Sequence, residues 1–258
     1  FIAAKPGIYD EKFTDKAGNS AEVQRQVYVE DGMLAYYDGE NNTGNGHSDT
    51  TIVWKDLSGN GNDGLLRNFQ NTSNSGWSSN GLIFDGEDDG LYLSDNFKEL
   101  FNDDVTIEMV INFSGDNSRD VIMGNHPNTD NGVSLERGRN ETDIQLRGRV
   151  WYNNGIVDQI TTQDVYYLNK NMNINCTLNK ANNQFSFGAN GITKESIKNE
   201  IFKQNTDFSH AWIGRDERTG ITSLTGTIHA VRIYDRVLTE DELKTNYEID
   251  KFRFGITE

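Results

Sequence analysis

The feature that most constrains this chain is its punctuation. Short runs of β-branched, aromatic and aliphatic residues are separated, along nearly the whole length, by clusters of Gly, Asn and Asp. Residues 51–54, 81–84, 90–93, 120–123, 133–136, 142–152 and 184–187 are such runs. Residues 105–113 alternate as a half-buried strand does. Asn60-Gly61 and Asn154-Gly155 pair residues that tolerate positive φ, and so make tight turns. With 2 Pro among 258 residues, little interrupts a sheet. The pattern predicts an all-β sandwich or barrel.

One helix stands out near the C-terminus. Thr239 is an N-cap and Glu242, three residues on, completes a capping box. Leu238 and Leu243 form a hydrophobic staple around it, and Glu240 and Asp241 suit the helix dipole. The helix is expected from about Glu240 to Glu248, with a second helical stretch over residues 194–203 and a single turn over 96–101. A boundary is expected near Glu30-Asp31. Within residues 1–30, Tyr9 to Val29 reads as two strands around a turn at Asp15 to Asn19, with Val23, Val27 and Val29 two or four apart, a period-two pattern. So short a segment cannot bury a core alone. It must pack on the main domain, residues 31–258, or belong to a neighbour.

Composition narrows the function. With 24 basic and 40 acidic residues the net charge is −16, which repels nucleic acid and anionic membrane surfaces. No apolar run is long enough to insert in a bilayer. The first residue is Phe, so a leader or an upstream region is expected to have been removed. The one cysteine, Cys176, excludes an intrachain disulfide and is expected to be a buried thiol.

Three stretches carry a resemblance. They are Leu34-Ala35-Tyr36-Tyr37-Asp38-Gly39 with the later Trp54-Lys55-Asp56-Leu57-Ser58-Gly59-Asn60-Gly61-Asn62-Asp63-Gly64, then residues 80–89 (NGLIFDGEDD), then residues 226–239 (GTIHAVRIYDRVLT). Together they resemble the laminin G-like, or concanavalin A-like, jelly-roll superfamily in its bacterial form. The resemblance implies a two-sheet antiparallel jelly-roll sandwich with a short C-terminal helix, pinned by Leu238 and Leu243 at one end of the sandwich. Residues 13–20 (FTDKAGNS) are similar to the last hairpin of bacterial immunoglobulin-like repeats. That likeness implies a module of a larger extracellular protein, on a bacterial cell surface or secreted.

Several constellations could carry chemistry. Asp56, Ser58, Asn60, Asn62 and Asp63 have the alternating oxygen pattern of a calcium loop, with Gly permitting the bend. The same residues suit a turn capped by Asx side chains. A structural Ca²⁺ is expected if the loop binds metal, with Asp38 either a distal ligand or a solvated turn residue. Glu87-Asp88-Asp89 is either a second cation site or a turn. Trp151, Tyr152, Asn153 and Asn154 offer aromatic and amide groups suited to a glycan, with Arg147 and Arg149 as added donors; the alternative is a core Trp before a hairpin turn. Trp54, Trp77 and Trp212 read as core or core-edge, and Arg232 and Arg236 as surface ion pairs. No catalytic residue is assigned. The E-x-D-x-x-E strand of the related glucanases is absent; Glu108 stands alone, and Glu136 and Glu141 do not match.

The expectation is a non-enzymatic extracellular recognition or adhesion module that binds a glycan or another cell-surface ligand, preferring neutral over sialylated glycans because of its charge. The first alternative is a subunit of a pilus, fibre or phage particle that assembles with other copies of itself. The second is a divergent glycosidase.

Overall fold

The period-two segments become strands that turn their apolar side chains inward. The structure is a computed structural model and describes residues 5–115, 119–125, 132–139, 144–152, 155–162, 168–198, 210–215 and 223–257, without the side chains of 119, 132, 139, 144–145, 150–152, 155–162 and 194–198. In chain order the strands are β1 (Gly7–Thr14), β2 (Ser20–Val27), β3 (Met33–Asp38), β4 (Val53–Trp54), β5 (Gly64–Arg67), β6 (Gly76–Ser78), β7 (Gly81–Asp85), β8 (Gly90–Tyr92), β9 (Val105–Phe113), β10 (Arg119–Gly124), β11 (Gly132–Arg139), β12 (Ile144–Tyr152), β13 (Gly155–Thr162), β14 (Asn171–Asn179), β15 (Gln184–Ala189), β16 (Ile192–Lys198), β17 (Trp212–Ile213) and β18 (Thr225–Tyr234). The helix α1 spans Glu240–Phe254.

Two antiparallel sheets form the sandwich. The first has the order β13-β12-β11-β10-β17-β8-β5-β4, the second β16-β15-β14-β9-β18-β7-β6. The long strand β18 serves two partners on one edge. Its first half pairs with β7 and its second half with β3, and the changeover falls at a bulge between Ile228 and Ala230. The core lies between the sheets. Val105, Ile107, Met109, Ile111 and Phe113 of β9 face Leu91, Ile122, Leu135, Leu146 and Ile213 of the first sheet within one apolar cluster. Cys176 belongs to this cluster, and burial pushes its thiol well above the usual range.

The expected helix forms, with its capping box, but runs on to Phe254, where Gly255 in the left-handed region (φ 61°) ends it. It lies across the outer face of the second sheet rather than at an end of the sandwich. Tyr247, Phe254 and Ile256 pack on Val110 and Ala230. This covering buries β9 on both faces, although its alternation predicted only one. The expected helix over 194–203 is not formed in its first part, where β16 pairs with β15 along the sheet edge; residues 199–203 lie outside the described residues. Residues 95–97 and 100–102 form short 3-10 turns, close to the turn expected.

Beneath α1 is a charged layer that sequence reading placed at the surface. Arg232 is 0% exposed. Its Nε donates to Glu108 Oε2 (3.2 Å) and its Nη1 to Asp250 Oδ1 (3.0 Å). Asn246 Nδ2 donates to the same Glu108 oxygen and Asn173 Nδ2 to Asp250 Oδ2. Burial raises the Glu108 carboxyl above its usual range. Arg236, by contrast, forms the expected surface pairs, with Asp31 (3.1 Å) and Glu242 (2.7 Å).

The N-terminal residues form the expected hairpin. β1 and β2 make a separate two-stranded sheet, and the Asp15 carboxylate closes the turn by accepting from the Ala17 and Asn19 amides. Past the hairpin, Tyr28 and Val29 are buried against the helix layer, where the Val29 amide donates to Asn246 Oδ1 (3.0 Å).

Candidate functional site

A single row of cross-strand partners crosses the outer face of the first sheet: Leu65, Tyr92, Trp212, Gly124, Ser134, Arg149 and Gln159. Their chain neighbours Leu66, Leu91, Ile213, Met123 and Leu135 are in the core, so alternation turns Leu65, Tyr92, Trp212, Ser134 and Arg149 to the other face, where Ser134 and Arg149 are nonetheless buried.

One half of the row is aromatic. Tyr92 and Trp212 are partly exposed, with ring centroids 5.0 Å apart and nearly perpendicular planes. His210 adds a third ring, 4.9 Å from Tyr92. The Tyr92 hydroxyl donates to Asp95 Oδ1 (2.9 Å), and that bond is the largest cause holding the Asp95 carboxyl below its usual range. The Arg215 guanidinium lies 5.2 Å over the Trp212 ring. It can do so only because residue 90 is glycine: a Cβ there would come within 2.4 Å of Arg215 Cδ.

The other half is charged. Glu136 is fully buried; its Oε1 accepts from Ser134 Oγ (2.9 Å) and its Oε2 from Arg149 Nη1 (2.7 Å). Arg147, opposite Glu136 in the ladder, is partly exposed and lies over Gly138. Between the two halves Gly124 has no side chain, a dip in the row that forms its trough; there the row is covered, Gly124 being buried and Ser134 0% exposed. Aromatic faces stack on the C–H faces of sugars, and guanidinium forks accept carboxylates in plane. The trough thus offers a stacking half and an anion-accepting half side by side.

Sequence reading assigned part of this differently. Trp54 and Trp77 are buried, as expected, with ring centroids 5.0 Å apart. Trp212, read as core or core-edge, is partly exposed on the face away from the core. The signal was present, since Ala211 and Ile213 are both 0% exposed and alternation sends Trp212 the other way. Leu91 and Leu93 do the same for Tyr92. Trp151 and Tyr152 end β12, but their side chains, and Asn153 and Asn154 entirely, lie outside the described residues.

The structure does bring Asp56, Ser58, Asn60, Asn62 and Asp63 together, around hydrogen-bond donors. Asp56 Oδ1 accepts from the Tyr36 and Ser58 amides, and Oδ2 from Ser58 Oγ and the Asn62 amide. Asp63 accepts from the Asp56 amide and from Lys55 Nζ. Asn60 Nδ2 donates to the Met33 carbonyl, and Asn62 Oδ1 accepts from Ser94 and Asn96. Both Asp56 oxygens and Asn62 Oδ1 take two donors each, as a turn capped by Asx side chains requires. Asp38 likewise accepts from Tyr36 and Arg253. In the acidic turn, the carboxylates of Asp85, Asp88 and Asp89 lie within 4.8 Å of one another. Asp89 accepts from Ser75 Oγ and the Asp85 amide, and burial pushes its pKa up to about 6.

Comparison with known proteins gives the frame. The chain resembles Trypanosoma rangeli sialidase in complex with sialic acid, with a TM-score of 0.65 at 19% identity over 89% of this chain and 34% of that one. The same sialidase with 2,3-difluorosialic acid as a covalent intermediate gives 0.65 at 20% identity, over 93% and 35%. The Ruminococcus gnavus IT-sialidase CBM40 bound to α2,3-sialyllactose gives 0.54 at 18%, over 65% of this chain and 96% of that one. At these identities the likeness is one of fold, and the chain spans about a third of the length of the sialidases it matches. No curated protein matches the chain by sequence. These neighbours overturn the expectation of a non-enzymatic recognition or adhesion module, because they are glycosidases and a glycosidase's carbohydrate module. The missing E-x-D-x-x-E strand was a poor argument against an enzyme: it tests one catalytic arrangement within one domain. The family itself is as expected. A family model described as the concanavalin A-like lectin/glucanases superfamily matches residues 85–244, which is more than half of the sequence, and the chain belongs to that superfamily.

Proposed function

We propose that this chain is the lectin-like, glycan-engaging part of a sialidase-type glycosidase, and that the trough on the first sheet is where it holds a sialylated glycan. The observation that carries the reading is the row itself. Tyr92 and Trp212 supply stacking faces, and β12, two strands beyond Gly124, supplies the partly exposed Arg147 beside the Arg149–Glu136 pair. A sialylated glycan has matching parts, a carboxylate on the terminal sugar and neutral sugars behind it. The fold likeness to sialidases and to a sialyllactose-bound module supports the choice of ligand.

The net charge of −16 pointed away from sialylated glycans. It is a sum over the whole surface, and salt screens it beyond ~8–10 Å. Within the trough Arg147, Arg149 and Arg215 stand against Glu136 and Asp95, so the local balance differs from the whole-chain sum.

Calorimetric titration tests the proposal. α2,3-Sialyllactose is expected to bind and lactose to bind at least about tenfold more weakly. Arg147→Ala should remove the preference, and Trp212→Ala should weaken both sugars. Equal affinity for the two sugars, or affinity unchanged by both substitutions, contradicts the reading.

A further inference from the structure

On the second sheet, away from the trough, the end of α1 closes over a histidine. His229 stands on β18 beside its bulge and is 6% exposed. Its Nδ1 lies 2.9 Å from the Asn80 carbonyl, which can only accept, so Nδ1 carries the proton. Nε2 is buried and has no hydrogen-bond partner among the described residues. The ring of Phe254, the last residue of α1, packs on the imidazole with centroids 5.6 Å apart and planes at 34°. We propose that His229 is an acid-operated latch: neutral, it seats Phe254 on the second sheet, and protonated, it releases the end of α1, residues 254–256.

The surroundings of the ring suit one protonation state. A Cβ on Gly81 would come within 2.9 Å of Nδ1, so glycine there lets the turn between β6 and β7 close on the imidazole. Phe254, 7% exposed, shares an apolar cluster with Val110, Ala230, Tyr247 and Ile256. A second proton would sit on Nε2, as a donor without an acceptor, and would set a full charge beside that cluster. Few bonds resist release. The Phe254 carbonyl accepts from Asn171 Nδ2 (2.7 Å), and the Gly255 and Ile256 amides return to the Lys251 carbonyl. Opening a chain end costs far less than unfolding the domain, so this is the cheapest way to bring water to Nε2.

The charges around the ring set the direction. Asp38, on β3, and Glu40, in the turn after it, favour the imidazolium, while the turn between β6 and β7 presents the neutral Asn80 carbonyl. Both carboxylates already accept from Arg253 Nη2, at 2.7 and 2.9 Å. Arg253, on α1, also lies over the Phe254 ring, 4.7 Å from its centroid, so a charged His229 would bring a second cation to that ring. Burial outweighs the two carboxylates and holds the imidazole below its ordinary 6.5. Released into water, it returns to about 6.5. The open form therefore binds the proton more tightly, and its share grows as pH falls below about 6.5.

Amide hydrogen exchange of the intact chain, read by NMR and corrected for intrinsic rates, tests the latch. Between about pH 7.5 and about pH 5, protection of the Phe254, Gly255 and Ile256 amides should fall at least about threefold. At the lower pH, about 1 M urea should leave that protection unchanged, as a local opening requires. His229→Asn keeps a donor near the Nδ1 position and cannot titrate, so its protection should be the same at both pH values. A helix end loosened equally at both does not alter that ratio. The imidazole ¹⁵N shifts of the unaltered chain give a second measurement: Nδ1 should carry the proton at the higher pH, and the midpoint should lie below about 6.5. The inference is overturned if protection at these amides does not fall with pH, or falls as much in His229→Asn. It is equally overturned if that protection follows urea as steeply as the β9 amides do, or if Nε2 carries the proton at the higher pH.

Discussion

At the scale of single residues, this protein is organised by where it buries charge. Arg232 sits between Glu108 and Asp250 with almost no access to water. Desolvating three such groups is costly, and the arrangement persists because each charge faces an opposite one. Arg232→Met should therefore destabilise by ~3–5 kcal/mol, since it leaves two carboxylates buried together. Glu108→Gln should cost much less, because burial already raises this carboxyl and its Oε1 has no hydrogen-bond partner. Urea denaturation of the two variants measures the contrast, and equal losses would contradict it. The Asp56 carboxylate accepts four hydrogen bonds, so Asp56→Ala should cost at least about 3 kcal/mol through stranded donors. Because the loop supplies its own donors, EDTA should leave the melting temperature unchanged; a fall of several degrees would point to a bound cation. The Asp56 spacing was plain in the sequence, but spacing cannot tell whether oxygens converge on an ion or on amides. Arg232 was misread for a related reason. Alternation put it on the outer face of β18, and nothing in its own strand revealed that α1 covers that face.

At the scale of elements, α1 was the most legible part of the chain. Its start is written locally, by Thr239, Glu242 and the Leu238–Leu243 staple. Its end was set too early, at Glu248; in the helix Ile249, Asp250 and Phe254 beyond it are buried on the second sheet. Thr239→Ala should cost ~1 kcal/mol. Glu242 adds a pH dependence. The hydrogen bond from Arg236, foremost, holds its pKa at about 2, against 4.5 for the free side chain. A carboxyl with a lowered folded pKa stabilises the native state above its unfolded pKa and loses that effect as pH falls towards the folded one. Stability should therefore drop between about pH 4.5 and 2. In Glu242→Gln that part of the fall should shrink, as thermal melts across the range would show. The strands β5, β13 and β17 were harder to see. Each depends on partners distant in sequence, and β17, only Trp212 and Ile213, is too short to show a period. That is also why the aromatic half of the trough went unread. Its residues are ordinary in their own segments and meet only through the register β8-β17-β10.

At the scale of the whole molecule, the jelly roll separates two surfaces. The second sheet spends its outer face on α1 and the buried ion layer. The first sheet keeps Tyr92, Trp212 and Arg147 partly exposed on its other face, with Gly124 and the buried Arg149–Glu136 pair between and beside them. The two-sheet architecture could be read from the rhythm of strands and turns, whereas the division of labour between the sheets depends on which face the helix takes. His229, at the bulge of β18, reports on that packing. Burial lowers its pKa below 6.5, so the unfolded chain binds more protons and stability should decline as pH falls below about 6.5. The central claim is that the first sheet's trough holds a sialylated glycan. The most direct measurement is backbone amide NMR of the intact chain titrated with α2,3-sialyllactose. Saturable shifts are predicted at Tyr92, Gly124, Ser134, Arg147, Arg149 and Trp212, with Tyr28 and Tyr36 unmoved. Shifts confined to the second sheet, or none at saturating ligand, would contradict the account.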